Sequence, residues 1–192
     1  MAFKGLTINT PEDQEAHIYA EDEAAMFKCI IGDGNVLFPY GDRFAVSITG
    51  SNQIRVGSGL LAIQGHIGTT PINEYEDFIL ENGLSGVVRY DLLVATFETT
   101  GLHGTDVFKL EVLTNTTEYA TGILDAGAEK VQMPLAKIKM NGLAISEVTM
   151  LQKETLSIPD LMKRLEQKVT YGTEDPSDDF GNDGDIYVKI MA

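Results

Sequence analysis

The chain has 192 residues, enough for one packed domain of about 100–150 residues with an appendage. Its formal charge of −15 argues against nucleic acid as the main ligand, because a phosphate backbone would be repelled. No apolar run approaches the ~20 residues that cross a bilayer, no signal-peptide core opens the sequence, and the single cysteine excludes an internal disulfide framework.

Residues 1–29 are predicted to form an extended arm and a helix. The stretch Thr10-Pro11-Glu12-Asp13 is typical of a helix start, because it supplies a capping hydroxyl, a proline at the first helical position and acids in the first turn. A helix that continues to Cys29 is one interpretation, and a strand after Glu23 is the alternative. Cys29 itself is expected to be a small buried residue.

Residues 30–150 are predicted to form the main domain, an antiparallel β-sandwich or a barrel-like fold. Short apolar runs alternate with turn residues at intervals of about 8–14 residues, which is the rhythm of such folds. The predicted strands are Phe44–Ile48, Gln53–Val56, Gly59–Gln64, Tyr75–Leu80, Val87–Thr96, Val107–Leu113, Val131–Met140 and Leu143–Met150.

Two glycine pairs in this domain, Gly57 with Gly59 and Gly65 with Gly68, are interpreted as turn glycines. Neither pair comes with the lysine of a Walker loop or lies between a strand and a helix, as a dinucleotide fingerprint requires. The glycines therefore predict turns and no nucleotide site.

One predicted strand carries a basic and an acidic residue, Arg89 and Asp91, inside an apolar run. Residues two apart on a strand point to the same face, so the two side chains should lie side by side. On a partly buried face such a pair is stable only when its members bond each other or the backbone. Because arginine stays protonated, the pair predicts an architectural clamp and not a catalytic pair.

The last part of the chain is predicted to form a short helix within 151–170, followed by an acidic loop and a terminal strand within 171–192. Apolar residues recur at three- and four-residue steps after the helix start at Ser157. A helix of about three turns is not stable alone, so its stripe either joins copies of the chain or packs on its own domain. The stripe consists of Ile158, Leu161, Leu165 and Val169.

The acidic loop raises the question of calcium. A solvated turn is one interpretation, and an irregular Ca²⁺ site is the alternative. EF-hand spacing fails, because counting from Asp179 puts Ile190 where a glutamate is needed. The candidate calcium ligands are Asp178, Asp179, Asp183 and Asp185.

No other cofactor or catalytic site is predicted. His17, His66 and His103 are far apart in sequence, and none has a second histidine or cysteine at zinc-ligand spacing. The sequence indicates no general base close to Cys29, so we do not expect Cys29 to be a nucleophile. We therefore expect a protein that is not an enzyme and needs no cofactor.

Several motifs follow one another along residues 20–148. They are Gly32-Asp33-Gly34, Asn52-x-Ile54-x-Val56-x-x-Gly59, the Gly65 turn, Asn82-Gly83, Arg89-x-Asp91-Leu92-Leu93-Val94, Val112-Leu113, Pro134-Leu135-Ala136 and Asn141-Gly142. This order resembles the attachment domains of bacteriophage tail-fibre, baseplate and related structural proteins, and Arg89-x-Asp91-Leu92-x-Val94 is its most specific part. At the C-terminus, Tyr171-Gly172-Thr173 and Gly184-Asp185-Ile186-Tyr187 resemble a short module common at the ends of phage and prophage structural proteins.

The resemblance implies a non-enzymatic virion protein, made in the bacterial cytoplasm, that contributes to host attachment. It implies an anchoring or adaptor component of a tail or baseplate, or a short tail fibre, whose partners are other virion proteins and copies of itself, with a trimer favoured. It implies neither nucleic acid nor membrane as a partner. The alternatives are a head fibre or capsid decoration protein and, in another class, a carbohydrate-binding β-sandwich module.

Overall fold

A computed structural model describes residues 19–101, 105–155, 161–162, 169–177, 181 and 185–190. The chain divides into two compact units, Met1–Thr155 and Leu156–Ala192. The described part is mainly β, so the predicted fold class is confirmed, and none of its sheets closes into a barrel. Among the described helices, none has the length and apolar character to span a membrane.

The N-terminal helix α1 covers Ala20–Ile31. The Asp22 carboxylate accepts the Tyr19 N–H at 3.0 Å, and the first turn is acidic, which suits the positive end of the helix dipole. The helix ends at Gly32, whose φ of +88° favours glycine. The alternative of a strand after Glu23 is therefore wrong, and the predicted start at Thr10 lies outside the described residues.

The prediction that Cys29 is buried is also wrong, because its side chain is exposed. Ala24 is the buried residue of α1, and the helical period turns Cys29 well away from the face that carries Ala24. Its apolar neighbours in sequence therefore lie on other sides of the helix.

Three antiparallel sheets build the first unit. One sheet has the order β1-β4-β5, from Asn35–Leu37, Gly59–Ile63 and His66–Thr70. A second has the order β2-β3-β6, from Val46–Ile48, Gln53–Val56 and Glu76–Ile79. The third has the order β10-β9-β7-β8, from Ala144–Met150, Lys130–Asn141, Val88–Thr99 and Asp106–Leu113.

The core lies between the four-stranded sheet and the two smaller sheets. Leu93 and Phe97 of β7 belong to one buried cluster with Ile54 of β3 and Leu61 of β4. Alternate residues of the long strand β7 thus face the smaller sheets, as the two-residue period requires. The result is a β-sandwich-like domain in which the middle of β7 and most of β9 are buried.

The sequence located the strands β2–β4 and β6–β10 but missed β1 and β5. Strand β5 contains Gly68, one of the glycines for which the sequence predicts a turn. Gly65 does lie in a turn, with a φ of +89°. Gly59 and Gly68, however, lie inside strands, so the turn interpretation of these two is wrong.

Close packing explains both strand glycines. A Cβ on Gly59 would lie 2.4 Å from the ring of Phe44, and a Cβ on Gly68 would lie 3.0 Å from the ring of Phe108. The missing side chains make room for aromatic rings in the interior.

In its described residues the second unit has two parallel strands, β11 at Val169–Gly172 and β12 at Ile186–Lys189. Val169 pairs with Ile186, so its predicted place in a helical stripe is wrong. A β-branched residue fits a strand well and gains ladder hydrogen bonds there. Leu161 is helical and exposed, whereas Ile158 and Leu165 lie outside the described residues.

The boundary between the units also differs from the prediction. Residues 151–155 belong to the first unit. The Leu151 N–H donates to the Leu135 carbonyl at 2.8 Å, and the Thr155 N–H donates to the Leu37 carbonyl at 2.7 Å. The main domain therefore continues past Met150 to Thr155.

Candidate functional site

Arg89 and Asp91 lie side by side on strand β7. The Arg89 Nε and Nη2 donate to Asp91 Oδ2 at 3.2 and 3.0 Å, and Nε is 2.9 Å from Oδ1. Their side chains are 13% and 0% exposed, so the ion pair is almost entirely removed from water. We call this pair the clamp.

The clamp also binds backbone groups of two connections. Asp91 Oδ1 accepts the Asn115 N–H at 2.8 Å, just after β8. Arg89 Nη2 and Nη1 donate to the carbonyls of Glu81 and Asn82 at 2.5 and 3.3 Å, just after β6. Each buried charge therefore has a charged partner and backbone partners, which a buried ion pair needs to be stable.

The connection that Arg89 holds packs against the turn between β9 and β10. The Gly142 N–H donates to the Val87 carbonyl at 2.9 Å. A Cβ on Gly83 would lie 1.9 Å from the Gly142 carbonyl oxygen, so glycine is required at this crossing. The clamp thus fixes the connection between β6 and β7, and that connection in turn packs on the turn between β9 and β10.

The connection between β6 and β7, the first residue of β7 and the turn between β9 and β10 expose apolar side chains together. Leu84 is 71% exposed, and Val87, Val88 and Leu143 are exposed as well. Backbone bonding at Val87 and Gly142 keeps these residues close, and we call them the apolar tip. Clustered exposed apolar residues are typical of contact surfaces with other proteins.

A second buried polar group lies further along β7 and β9. The Gln132 Nε2 donates to Thr96 Oγ1 and to Glu111 Oε1, both at 3.0 Å, and the Thr96 hydroxyl donates to Glu111 Oε1 at 2.6 Å. Gln132 Oε1 accepts the Ala120 N–H at 2.8 Å. Burial raises the pKa of Glu111, but hydrogen bonds from Thr96 and Lys109 outweigh it and lower the pKa.

His66 lies at the start of β5, where helix α1 crosses the domain. Its ring stacks on Phe97 with centroids 4.1 Å apart, and burial lowers its pKa. Lys28 of α1 bonds Asp125 at 2.7 Å beside it. The two other histidines, His17 and His103, lie outside the described residues.

The candidate calcium ligands Asp178, Asp179 and Asp183 also lie outside the described residues, and Asp185 lies just before β12. Over the part of the chain that the structure describes, no three His, Cys, Asp or Glu side chains converge on a point where a metal would bind.

The hydrogen bonds of the clamp are committed to structure. The Arg89 guanidinium donates to Asp91 Oδ2, and Asp91 Oδ1 accepts the Asn115 N–H, so both carboxylate oxygens are engaged. The spacing of Arg89 and Asp91 was readable from the sequence, whereas their backbone partners and the glutamine network were not. Those contacts join residues far apart along the chain, and no local pattern signals them.

Comparison with known proteins adds no family. No protein-family model matches the chain, and no curated protein resembles it significantly in sequence.

Proposed function

We propose that the chain is a non-enzymatic structural protein of a bacteriophage virion. In this proposal it is an anchoring or adaptor component of the tail or baseplate, or a short tail fibre, and it assembles from copies of itself. The observation that carries the proposal is the structural role of Arg89 and Asp91. They form the most specific part of the phage resemblance, and their bonds go to each other and to backbone groups of the same domain.

The apolar tip supports an assembly role. Leu84, Val87, Val88 and Leu143 are held in an exposed position by the clamp and by the Gly83–Gly142 crossing. A fixed, exposed apolar surface is what a building block of a larger particle needs, since contact with a neighbour removes it from water.

The location within a particle is testable by labelling. Phage particles are purified from the bacterial strain that encodes the chain, analysed by mass spectrometry, and imaged in negative stain with a gold-labelled antibody against the chain. We expect label on the tail or baseplate. Label on the capsid would favour the head-fibre or decoration alternative, and absence of the chain from purified particles would overturn the proposal.

Self-assembly is tested separately by light scattering. We expect the full chain to show the mass of three copies and a chain truncated after Thr155 to show the mass of one. The truncation follows the boundary between the two units. A truncated chain that keeps the full mass would place the contacts in the first unit, and a monomeric full chain would contradict self-assembly.

Sugar binding is a second candidate function, because one exposed aromatic ring lies in a groove. Tyr75 is 55% exposed and lines a groove of about 340 Å³ with Asn73, Glu74 and Arg55. The Arg55 guanidinium lies 3.5 Å from the centroid of the Tyr75 ring and covers one of its faces. The other face, with amide and carboxylate groups beside it, suits a polar ligand with an apolar face. A glycan array compares the chain with Tyr75→Ala, and loss of a glycan signal in the variant would support this candidate.

A further inference from the structure

Three strands at the ends of their sheets meet at one pocket. Strands β5, β6 and β8 each end the order of their sheet among the described strands. Residues from all three line an opening of about 130 Å³. We call this opening and the strand edges around it the edge slot.

The floor of the edge slot is apolar. Phe44, Leu61 and Ala95 line it from the core, and all three side chains are buried. Protein interiors are normally close-packed, and an apolar cavity of similar size binds a molecule such as benzene. The floor therefore suits one apolar side chain of about the size of leucine.

The rim of the edge slot carries an unbalanced carboxylate. Glu76 of β6 pairs in register with the buried Val56, so it lies on the side of its sheet that faces the slot, where the residue stays exposed at the rim. Burial raises the pKa of Glu76, and no described residue forms a hydrogen bond or ion pair with it. Lys109, on the opposite rim, bonds Glu111 at 3.1 Å. A basic side chain of a bound peptide would thus pair with the Glu76 carboxylate.

Strand edges present backbone N–H and C=O groups that pair readily with another extended chain. Peptides that add to such an edge gain affinity from the backbone and specificity from pockets that take alternate side chains. The edge slot combines both features within a single opening.

We propose that the edge slot binds an extended segment of another polypeptide chain, which inserts one apolar side chain and places a lysine or arginine two residues away against Glu76. The two-residue spacing follows from the strand period, which puts both side chains on the side that faces the slot. The net charge of −15 also favours a basic partner segment. Peptide binding at the edge slot goes beyond the proposed function, because it does not depend on a role in a virion.

The test is a titration of the full ¹⁵N-labelled chain followed by NMR. The first probe is the peptide acetyl-Thr-Leu-Thr-Lys-Thr-amide, and the second has the sequence of residues 3–9, in which Lys4 and Leu6 have the same spacing. Matched controls replace the leucine of the first probe by serine or its lysine by glutamine. We expect saturable shifts at Gly68, Glu76 and Phe108 and an affinity at least about tenfold lower for the serine control.

The protein variant Glu76→Gln separates recognition from edge protection. We expect it to bind the lysine and glutamine probes equally, whereas the wild-type chain prefers lysine by about three- to tenfold. An alternative role for a charge on an edge strand is to prevent that edge from pairing with another chain. In that case Glu76→Gln would self-associate without peptide, and the wild-type chain would bind neither probe, which overturns the proposal.

Two further outcomes are decisive. Binding of the peptide from residues 3–9 at the slot supports the proposal and shows that a segment of this chain's own sequence meets the recognition rule. Shifts that are equal for the leucine and serine probes, or that appear away from β5, β6 and β8, overturn it. The spectrum of each variant without peptide shows whether the fold is retained.

Discussion

Two arginine–aspartate pairs in the same domain have similar geometry and different surroundings. Arg89 and Asp91 lie on one strand with side chains 13% and 0% exposed. Arg55 of β3 and Asp77 of β6 form two hydrogen bonds of 2.8 Å across the sheet, with side chains 39% and 30% exposed. The exposed pair has the shorter bonds, yet water can replace its partners.

The difference shows that burial and backbone partners, and not bond length, decide what an ion pair contributes. The hydrogen bond to Asp77 raises the pKa of Arg55, but the two strands are already joined by their ladder. The clamp, by contrast, joins β7 to two connections that have no ladder with it. Removing one member of the clamp leaves a charge buried and unmatched.

The largest expected effect comes from Arg89→Ala. It should lower the free energy of unfolding by about 3–5 kcal/mol, because Asp91 would remain buried without its partner. The measurement is chemical denaturation, with Arg55→Ala as the matched control, which should stay close to wild type. Equal and small changes in both variants would show that burial does not distinguish the pairs.

A smaller effect is expected from Gly83→Ala. This variant disturbs the connection between β6 and β7 that Arg89 binds, but it leaves Arg89 and Asp91 unchanged. Its Cβ would collide with the Gly142 carbonyl oxygen, so the loop must shift, at a cost of about 2–3 kcal/mol. Gly34→Ala is the control, since nothing lies within 4 Å of its Cβ. A melting temperature of Gly83→Ala equal to that of the control would contradict the crossing described above.

Gln132→Ala extends the comparison to an uncharged buried group. It should lower the free energy of unfolding by about 1–3 kcal/mol, because the Ala120 N–H would lose its acceptor and Thr96, which keeps its bond to Glu111, would lose a donor. The control is Gln53→Ala, at a more exposed position on β3. The free energies of unfolding are measured by calorimetry. A loss in Gln132→Ala as large as that in Arg89→Ala would show that removing the partner of a buried charge costs no more than removing the partner of a buried neutral group.

The smallest effect is expected from His66, which is only half-buried. Burial lowers its pKa below the ordinary 6.5, so between the folded pKa and about 6.5 the unfolded chain binds more protons. Stability should therefore fall as pH decreases through this window. Asp106, Lys28, Glu21 and Asp125 also face the ring and contribute to its pKa.

The variant His66→Phe keeps the stack on Phe97 and removes the titration. Its melting temperature should change less between pH 7 and pH 5 than that of the wild-type chain. An unchanged slope would mean that other groups cause the pH dependence in this range.

Local periodicity by itself determined much of this protein. Short apolar runs between turn residues located β2–β4 and β6–β10, and the two-residue spacing placed Arg89 and Asp91 on one face of β7. Both inferences depend only on neighbours along the chain, where strand geometry sets which side chains meet.

The tertiary structure decided what local patterns do not encode. Gly68 of β5 has no side chain where the ring of Phe108 packs against its strand. Val169 is extended because its backbone pairs with Ile186. The clamp holds Asn115 and Glu81 only because the fold brings their backbones to β7. These contacts join residues that are distant in sequence, so their energies appear only once the chain has packed.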